Sequence, residues 1–199
     1  MRILGLIALG VCAATVVGQT FVYDNFGANW TYTTNTGYTI SVGAPINTDW
    51  DQGNSFVPSQ SGYLTDVWAA VNHVTGDNTM ELWLMDDNGN QPGTILETFK
   101  FQNAMVPGGF GQLNPPLHGV GAGTTFLDSS KKYWLIASTP GPNSWCAWNY
   151  SLSDFGDRAG RQNMGAWNIS QSQKAAFAIA IPEPATLGLL ALGTLLRRR

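Results

Sequence analysis

The sequence predicts an all-β fold: a single antiparallel β-sandwich of jelly-roll type. Three observations carry that prediction. Apolar and polar residues alternate with period two through most of the middle of the chain, and no helical stripe accompanies them. Clusters of Gly, Pro, Asn and Asp separate the alternating runs and supply turn conformations. About ten short strands with few charges suit two packed sheets. The chain has 199 residues, enough for one domain and too few for two ordinary ones. Its polar middle, residues 19–181, is long enough to bury roughly two thirds of its unfolded surface in one core.

In chain order the expected strands are Phe21–Asn25, Trp30–Thr33, Tyr38–Val42, Tyr63–Val71, Met80–Met85, Ile95–Phe101, Lys132–Ala137, Trp145–Tyr150, Ala166–Ile169 and Ala175–Ile181. The clearest is the stretch MELWLMDDNGNQPGTILETF. It alternates through Met80, Leu82 and Leu84, turns at Asp87-Asn88-Gly89 and resumes at Ile95. With those three in the core, Glu81, Trp83 and Met85 face outward together. The Gly-rich stretches Val106–Gln112 and His118–Thr124 are expected as loops.

Charge narrows the partners. The formal net charge is -3, but four of the ten basic residues (Arg2, Arg197, Arg198, Arg199) sit at the ends. Six basic against twelve acidic residues leave the middle at about -6, with no basic cluster beyond Lys131-Lys132. Such a surface does not suit nucleic acid, which needs clustered cations to neutralise phosphates. Of the two cysteines, Cys12 lies in the N-terminal apolar run, and Cys146 sits in an apolar stretch that reads as a buried thiol. A disulfide framework is excluded once residues 1–18 are removed.

The ends are addresses. Met1-Arg2 precedes an apolar run from Ile3 to Val17, the layout of a secretory signal peptide over residues 1–18, cleaved after Gly18 or Ala14. The other end, residues 182–199, reads Pro182-Glu183-Pro184, then uncharged residues from Ala185 to Leu196, then Arg197, Arg198 and Arg199. A helix over Ala185–Leu196 reaches only about 18 Å, short of a hydrocarbon core of about 30 Å. It therefore predicts a short transmembrane helix that inserts transiently in the inner membrane, its arginines held on the cytoplasmic side.

This end resembles the PEP-CTERM sorting signal of exopolysaccharide-producing bacteria in its order, its spacing and its PEPATLGLL wording. The resemblance implies an exported protein processed near Pro182–Pro184 by an exosortase, a membrane-embedded cysteine protease-transferase, and then held at the cell surface or in the extracellular matrix. The middle is more loosely similar to the choice-of-anchor sandwich domains that accompany such tails, through NSFVPSQSGYLTDVWAAV, DDNGNQPGTIL and KKYWLIAS. That family carries no assigned catalytic residues.

The residues offer little catalytic machinery. There is no GxSxG, HExxH or CxxC, and His73 and His118 have no nearby motif partner. Glycoside hydrolysis needs two carboxyls facing one sugar, whereas Glu81 and Asp86 fall on opposite faces of one strand. The sequence thus predicts no enzyme and no cofactor. Asp86, Asp87, Asn88 and Asn90 crowd one turn and are the oxygen-rich candidates for calcium, although such runs are also ordinary turn chemistry. All eight tryptophans lie in the middle of the chain. Exposed indoles pack against sugar rings, and Trp50, in a polar loop, and Trp83 are the candidates for binding exopolysaccharide. Three roles follow: a glycan-binding surface or matrix protein, a purely structural or protein-adhesive one, and a polysaccharide hydrolase.

Overall fold

The structure, a computed structural model, describes residues 18–43 and 46–183. The expected signal peptide and the PEP-terminal apolar segment from 184 onward lie outside the described residues. Among the described residues fourteen strands run in order: β1 (Gln19–Asp24), β2 (Gly37–Val42), β3 (Trp50–Phe56), β4 (Gly62–Tyr63), β5 (Asp66–Ala69), β6 (Val71–Gly76), β7 (Thr79–Asp87), β8 (Pro92–Gln102), β9 (Leu117–Val120), β10 (Phe126–Leu127), β11 (Tyr133–Ser138), β12 (Ser144–Gln162), β13 (Asn168–Ala175) and β14 (Phe177–Pro182). One 3-10 turn, Ala28–Trp30, is the helical element among the described residues. Among them no helix is long and apolar enough to cross a membrane.

Every strand pairing is antiparallel, and the sheets pack as in a β-sandwich. A small sheet has the order β1-β14-β5-β9. A large one runs β13-β12-β3-β11-β7-β8, with β2 and β6 flanking the first half of β12. Period-two alternation drives the stacking. Val22, Val67, Phe177 and Ile179 of the small sheet meet Leu82, Leu84, Leu135 and Ala137 of the large one in a single core. Phe56 and Trp148 are fully buried there, and Trp148 donates its indole hydrogen to the Ala176 carbonyl over 3.0 Å. A buried indole removes about 150–250 Å² from water, worth several kcal/mol at about 25 cal/mol per Å². Cys146 is buried as expected, and burial pushes its thiol up to about 11.

The last strand closes on the first: β14 pairs with β1 from Gln19↔Pro182 to Asp24↔Ala178. Just beyond, Glu183 donates its backbone hydrogen to the Gly18 carbonyl over 2.9 Å, so the two ends of the described domain leave it side by side.

Five expectations are corrected. Trp30–Thr33 is not a strand; Asn29 and Trp30 take left-handed φ of 55° and 61°, which ends extended structure there. The single run Tyr63–Val71 breaks into β4, β5 and the start of β6, because Leu64 and Thr65 turn their amides to Thr125 and Ala180. Within His118–Thr124, expected as a loop, His118–Val120 belong to β9 and pair with β5. Finally, β12 runs far past Tyr150, and β3 fills a stretch where no strand was expected.

Candidate functional site

The face of the large sheet turned away from the small one gathers the aromatic and charged residues of β3, β7, β11, β12 and β13. On β7, Met80, Leu82 and Leu84 enter the core while Glu81, Trp83 and Met85 point to this face, as the alternation predicts. Cross-strand register places Ile136 opposite Trp83 and Trp134 opposite Met85. Next along, Gly53 stands opposite Ile136 on one side and Ala159 on the other. A side chain at Gly53 would crowd this floor, since a Cβ would lie 2.1 Å from Ile136 Cδ1 and 3.0 Å from the Leu135 carbonyl. Trp134, Ile136 and Ala159 form a buried floor, with Trp83, Trp167 and Ile169 half-buried against it.

Arg161 is the centre of this surface. It comes from the end of β12, and Trp167 follows the turn that leads into β13. That turn closes with Gly165 donating to the Gln162 carbonyl over 2.8 Å, through Asn163 and Met164 at φ of 48° and 57°. The hairpin brings the Arg161 guanidinium over the Trp167 ring at 4.4 Å and to 5.6 Å from the Trp83 ring. Its Nε donates to Asp51 Oδ2 over 2.7 Å, with both side chains largely buried. A cation held between two indoles is worth about 0.5–2 kcal/mol and fixes the planes of both rings.

The remaining charges pair across the same face. Trp83 donates its indole hydrogen to Glu81 over 2.9 Å, and Lys100 lies 3.3 Å from the same carboxylate. Lys132 donates to Asp157 over 2.6 Å, and Gln171 donates to its other oxygen. The Lys132 bond is the main reason the Asp157 carboxyl stays below the usual range. Trp134 donates to Asp87 over 2.7 Å. The result is a surface of nearly balanced charge in which two half-buried indoles are bordered by hydrogen-bonding groups, suited to an uncharged amphipathic ring rather than to a phosphate or an isolated ion.

The structure separates the two tryptophans singled out from the sequence. Trp83 stands in this cluster. Trp50 begins β3 opposite Gln162, on the other face of its strand from Asp51. There it lines a cleft of about 270 Å³ with Tyr38, Gln52 and Arg158. Arg158 lies 4.5 Å over the Tyr38 ring and donates to Gln52 over 2.6 Å. A second cleft of about 280 Å³ joins Trp50 to Gln162 and Asn168. Sequence reasoning missed Arg161 and Trp167 as a pair. Their signal was the Asn163–Gly165 turn, which brings Trp167, just ahead of β13, back beside Arg161 at the end of β12.

The candidate calcium ligands share the β7–β8 turn, where three of the four side chains already hold hydrogen-bond partners. Asp86 accepts the Thr94 amide, Asp87 accepts the Asn90 amide and the Trp134 indole, and Asn90 accepts Lys132. Asn88 gives its backbone amide to Gln91. Among the described residues no three His, Cys, Asp or Glu side chains cluster as metal ligands. His73 is buried, with Nδ1 accepting the Gly108 amide and Nε2 facing the Gly76 carbonyl at 3.0 Å. His118 lies 2.7 Å from Asp66 on the outer face of the small sheet.

Compared with known proteins, the chain matches no family model and no curated protein sequence.

Proposed function

We propose that this is an exported, exosortase-processed protein of the cell surface or extracellular matrix that binds exopolysaccharide without catalysing a reaction. The observation that carries the binding role is Arg161 held between Trp83 and Trp167 on the outer face of the large sheet. Rings held beside a buried ion pair lose little entropy on meeting a sugar, and the exposed Lys100 ammonium, paired with Glu81, offers donors to its hydroxyls. Export and sorting rest on the apolar N-terminus, Pro182-Glu183-Pro184 and Arg197–Arg199. The side-by-side exit of Gly18 and Glu183 supports a domain presented from one end, with both sheet faces free to meet matrix.

The strand orders favour a jelly roll. Eight strands in chain order, β1, β3, β5, β7, β8, β9, β11 and β14, change sheet at every step except the β7–β8 hairpin and fall into β1-β14-β5-β9 and β3-β11-β7-β8, two interleaved Greek keys. Lectin domains are among the proteins built this way. A purely adhesive protein–protein role has one observation in its favour. Tyr63 and Phe126 pack edge-to-face at 5.2 Å and are each about half exposed.

The test is a tryptophan-fluorescence titration of the purified protein with the source bacterium's exopolysaccharide, with and without calcium. Binding predicts a saturable change that Trp83→Ala or Trp167→Ala weakens at least tenfold, independent of calcium. No response at saturating polysaccharide moves the assignment to protein adhesion through Tyr63 and Phe126.

A further inference from the structure

A second aromatic surface lies on the opposite side of the sandwich, on the outer face of the small sheet. Phe21 of β1, Trp68 of β5 and Trp30 of the 3-10 turn meet with ring centroids 5.2, 5.5 and 5.6 Å apart. Phe26 adjoins Trp30 at 5.0 Å, and His118 stacks on Trp68 at 4.7 Å with planes 2° apart. Beside this row opens a cleft of about 470 Å³, lined by Phe21, Phe26 and Trp30 together with Asp24 and Asn29. That volume falls within the range of about 300–1,000 Å³ typical of small-ligand sites.

The lining says what fits. Phe21 is 41% exposed, so a ring face is available, and Asn29 is exposed at the rim. Asp24 spends Oδ1 on the Phe26 amide and keeps Oδ2 for a hydroxyl donor. The lining holds this carboxylate and no cation. Farther along the row, Asp66 already holds His118 and Gln19. An anionic polymer is repelled by such a cleft, whereas a neutral sugar offers apolar C–H faces to the rings and hydroxyls to Asp24 and Asn29.

We propose that this cleft is a second polysaccharide-binding site, taking neutral pyranose segments, so that one molecule bridges two polymer chains. The bridging role rests on the binding reading proposed for the Trp83 face. The two sites lie on the outward sides of opposite sheets, which keeps a single short segment from reaching both and leaves each free to hold its own chain.

Two measurements on the purified protein test it. The first is calorimetric stoichiometry with neutral oligosaccharides prepared by partial acid hydrolysis of the exopolysaccharide. The second is turbidity with the intact polymer. The wild type is expected to bind about two fragments per molecule and to give turbidity that rises and then falls with excess protein. Phe21→Ala should leave about one fragment bound and abolish turbidity. Asp24→Asn keeps the turn bond to Phe26, so a weakened second site in that variant reports on the cleft rather than on folding. A wild-type stoichiometry of about one, lost in Trp83→Ala and untouched by Phe21→Ala and Asp24→Asn, overturns this site and leaves the first standing. A stoichiometry of about one lost only in the Phe21 and Asp24 variants supports this cleft, but refutes bridging and the Trp83 site. No binding of any fragment refutes both.

Discussion

Tyr23 donates its hydroxyl hydrogen to Asp154 over 2.6 Å, tying the first strand to an irregular stretch of the twelfth. There β12 advances from Tyr150 to Phe155 while its partner moves only from Ala175 to Gln173. Lys174 closes the cluster, 3.6 Å from Asp154 and 3.3 Å from the Tyr23 oxygen, and Asn25 donates to Asp154 over 3.2 Å. The bulge is therefore held by side chains rather than by a ladder. Tyr23→Phe should lower stability by about 1.5–3 kcal/mol, the value of a hydrogen bond to a charged acceptor. Urea midpoints check it, and an unchanged midpoint would show that Asn25 and Lys174 suffice to hold Asp154.

Alkaline pH should weaken the fold through Cys146. Its thiol is pushed from an ordinary 9.0 up to about 11 because burial disfavours the thiolate. A folded-state value above the unfolded one means the stabilisation is complete below about pH 9. It is lost as pH rises toward about 11, because the unfolded chain gives up its proton first. The loss is of the order of 2–3 kcal/mol. Tyr23 shifts in the same direction, chiefly through burial, so it adds to the alkaline loss above about pH 10. Cys146→Val should therefore lose less stability than wild type between about pH 8 and 10.5. Equal losses would assign the effect to the tyrosines Tyr23, Tyr38 and Tyr150, whose hydroxyls burial also pushes up.

How far the sequence could be read depended on where each polar residue finds its partner. Along β7 the alternation carried the answer, because Met80, Leu82 and Leu84 bury apolar atoms while Glu81 and Trp83 point away. Trp83 was legible for that reason. In β3 the same rule was silent: between Trp50 and Phe56 it reads Asp51, Gln52, Gly53, Asn54, Ser55. These residues are buried because Asp51 meets Arg161, Gln52 meets Arg158, and Asn54 accepts the Ala175 amide. Partners more than a hundred residues away leave no local period. The far half of β12 was missed for the same reason, and with it Arg161 as the clamp between two indoles.

Gly53 tests the floor of that surface. A Cβ there would lie 2.1 Å from Ile136 Cδ1 and 3.0 Å from the Leu135 carbonyl, and a backbone oxygen cannot swing aside. Gly53→Ala should cost about 1–3 kcal/mol by overpacking and tilt Ile136 toward Trp83. Ile136→Val in the same chain relieves the closest clash, and thermal denaturation of the double variant should recover part of the loss. No recovery would place the strain at the backbone of β11.

Arg161 separates stability from recognition. Its guanidinium contacts Asp51 through Nε while its flat face lies on Trp167, an arrangement lysine cannot copy because an ammonium has no plane. Arg161→Ala strands a largely buried Asp51 carboxylate and should cost about 3–5 kcal/mol, enough to confuse lost binding with lost fold. Arg161→Lys keeps the charge beside Asp51 and should cost only about 1 kcal/mol. It nevertheless frees the Trp83 and Trp167 rings from their common spacer. If the rings bind sugar because Arg161 fixes their planes, Arg161→Lys should weaken exopolysaccharide binding about tenfold while its Tm stays within a few degrees of wild type. Binding that follows Tm alone would reduce Arg161 to a structural ion pair.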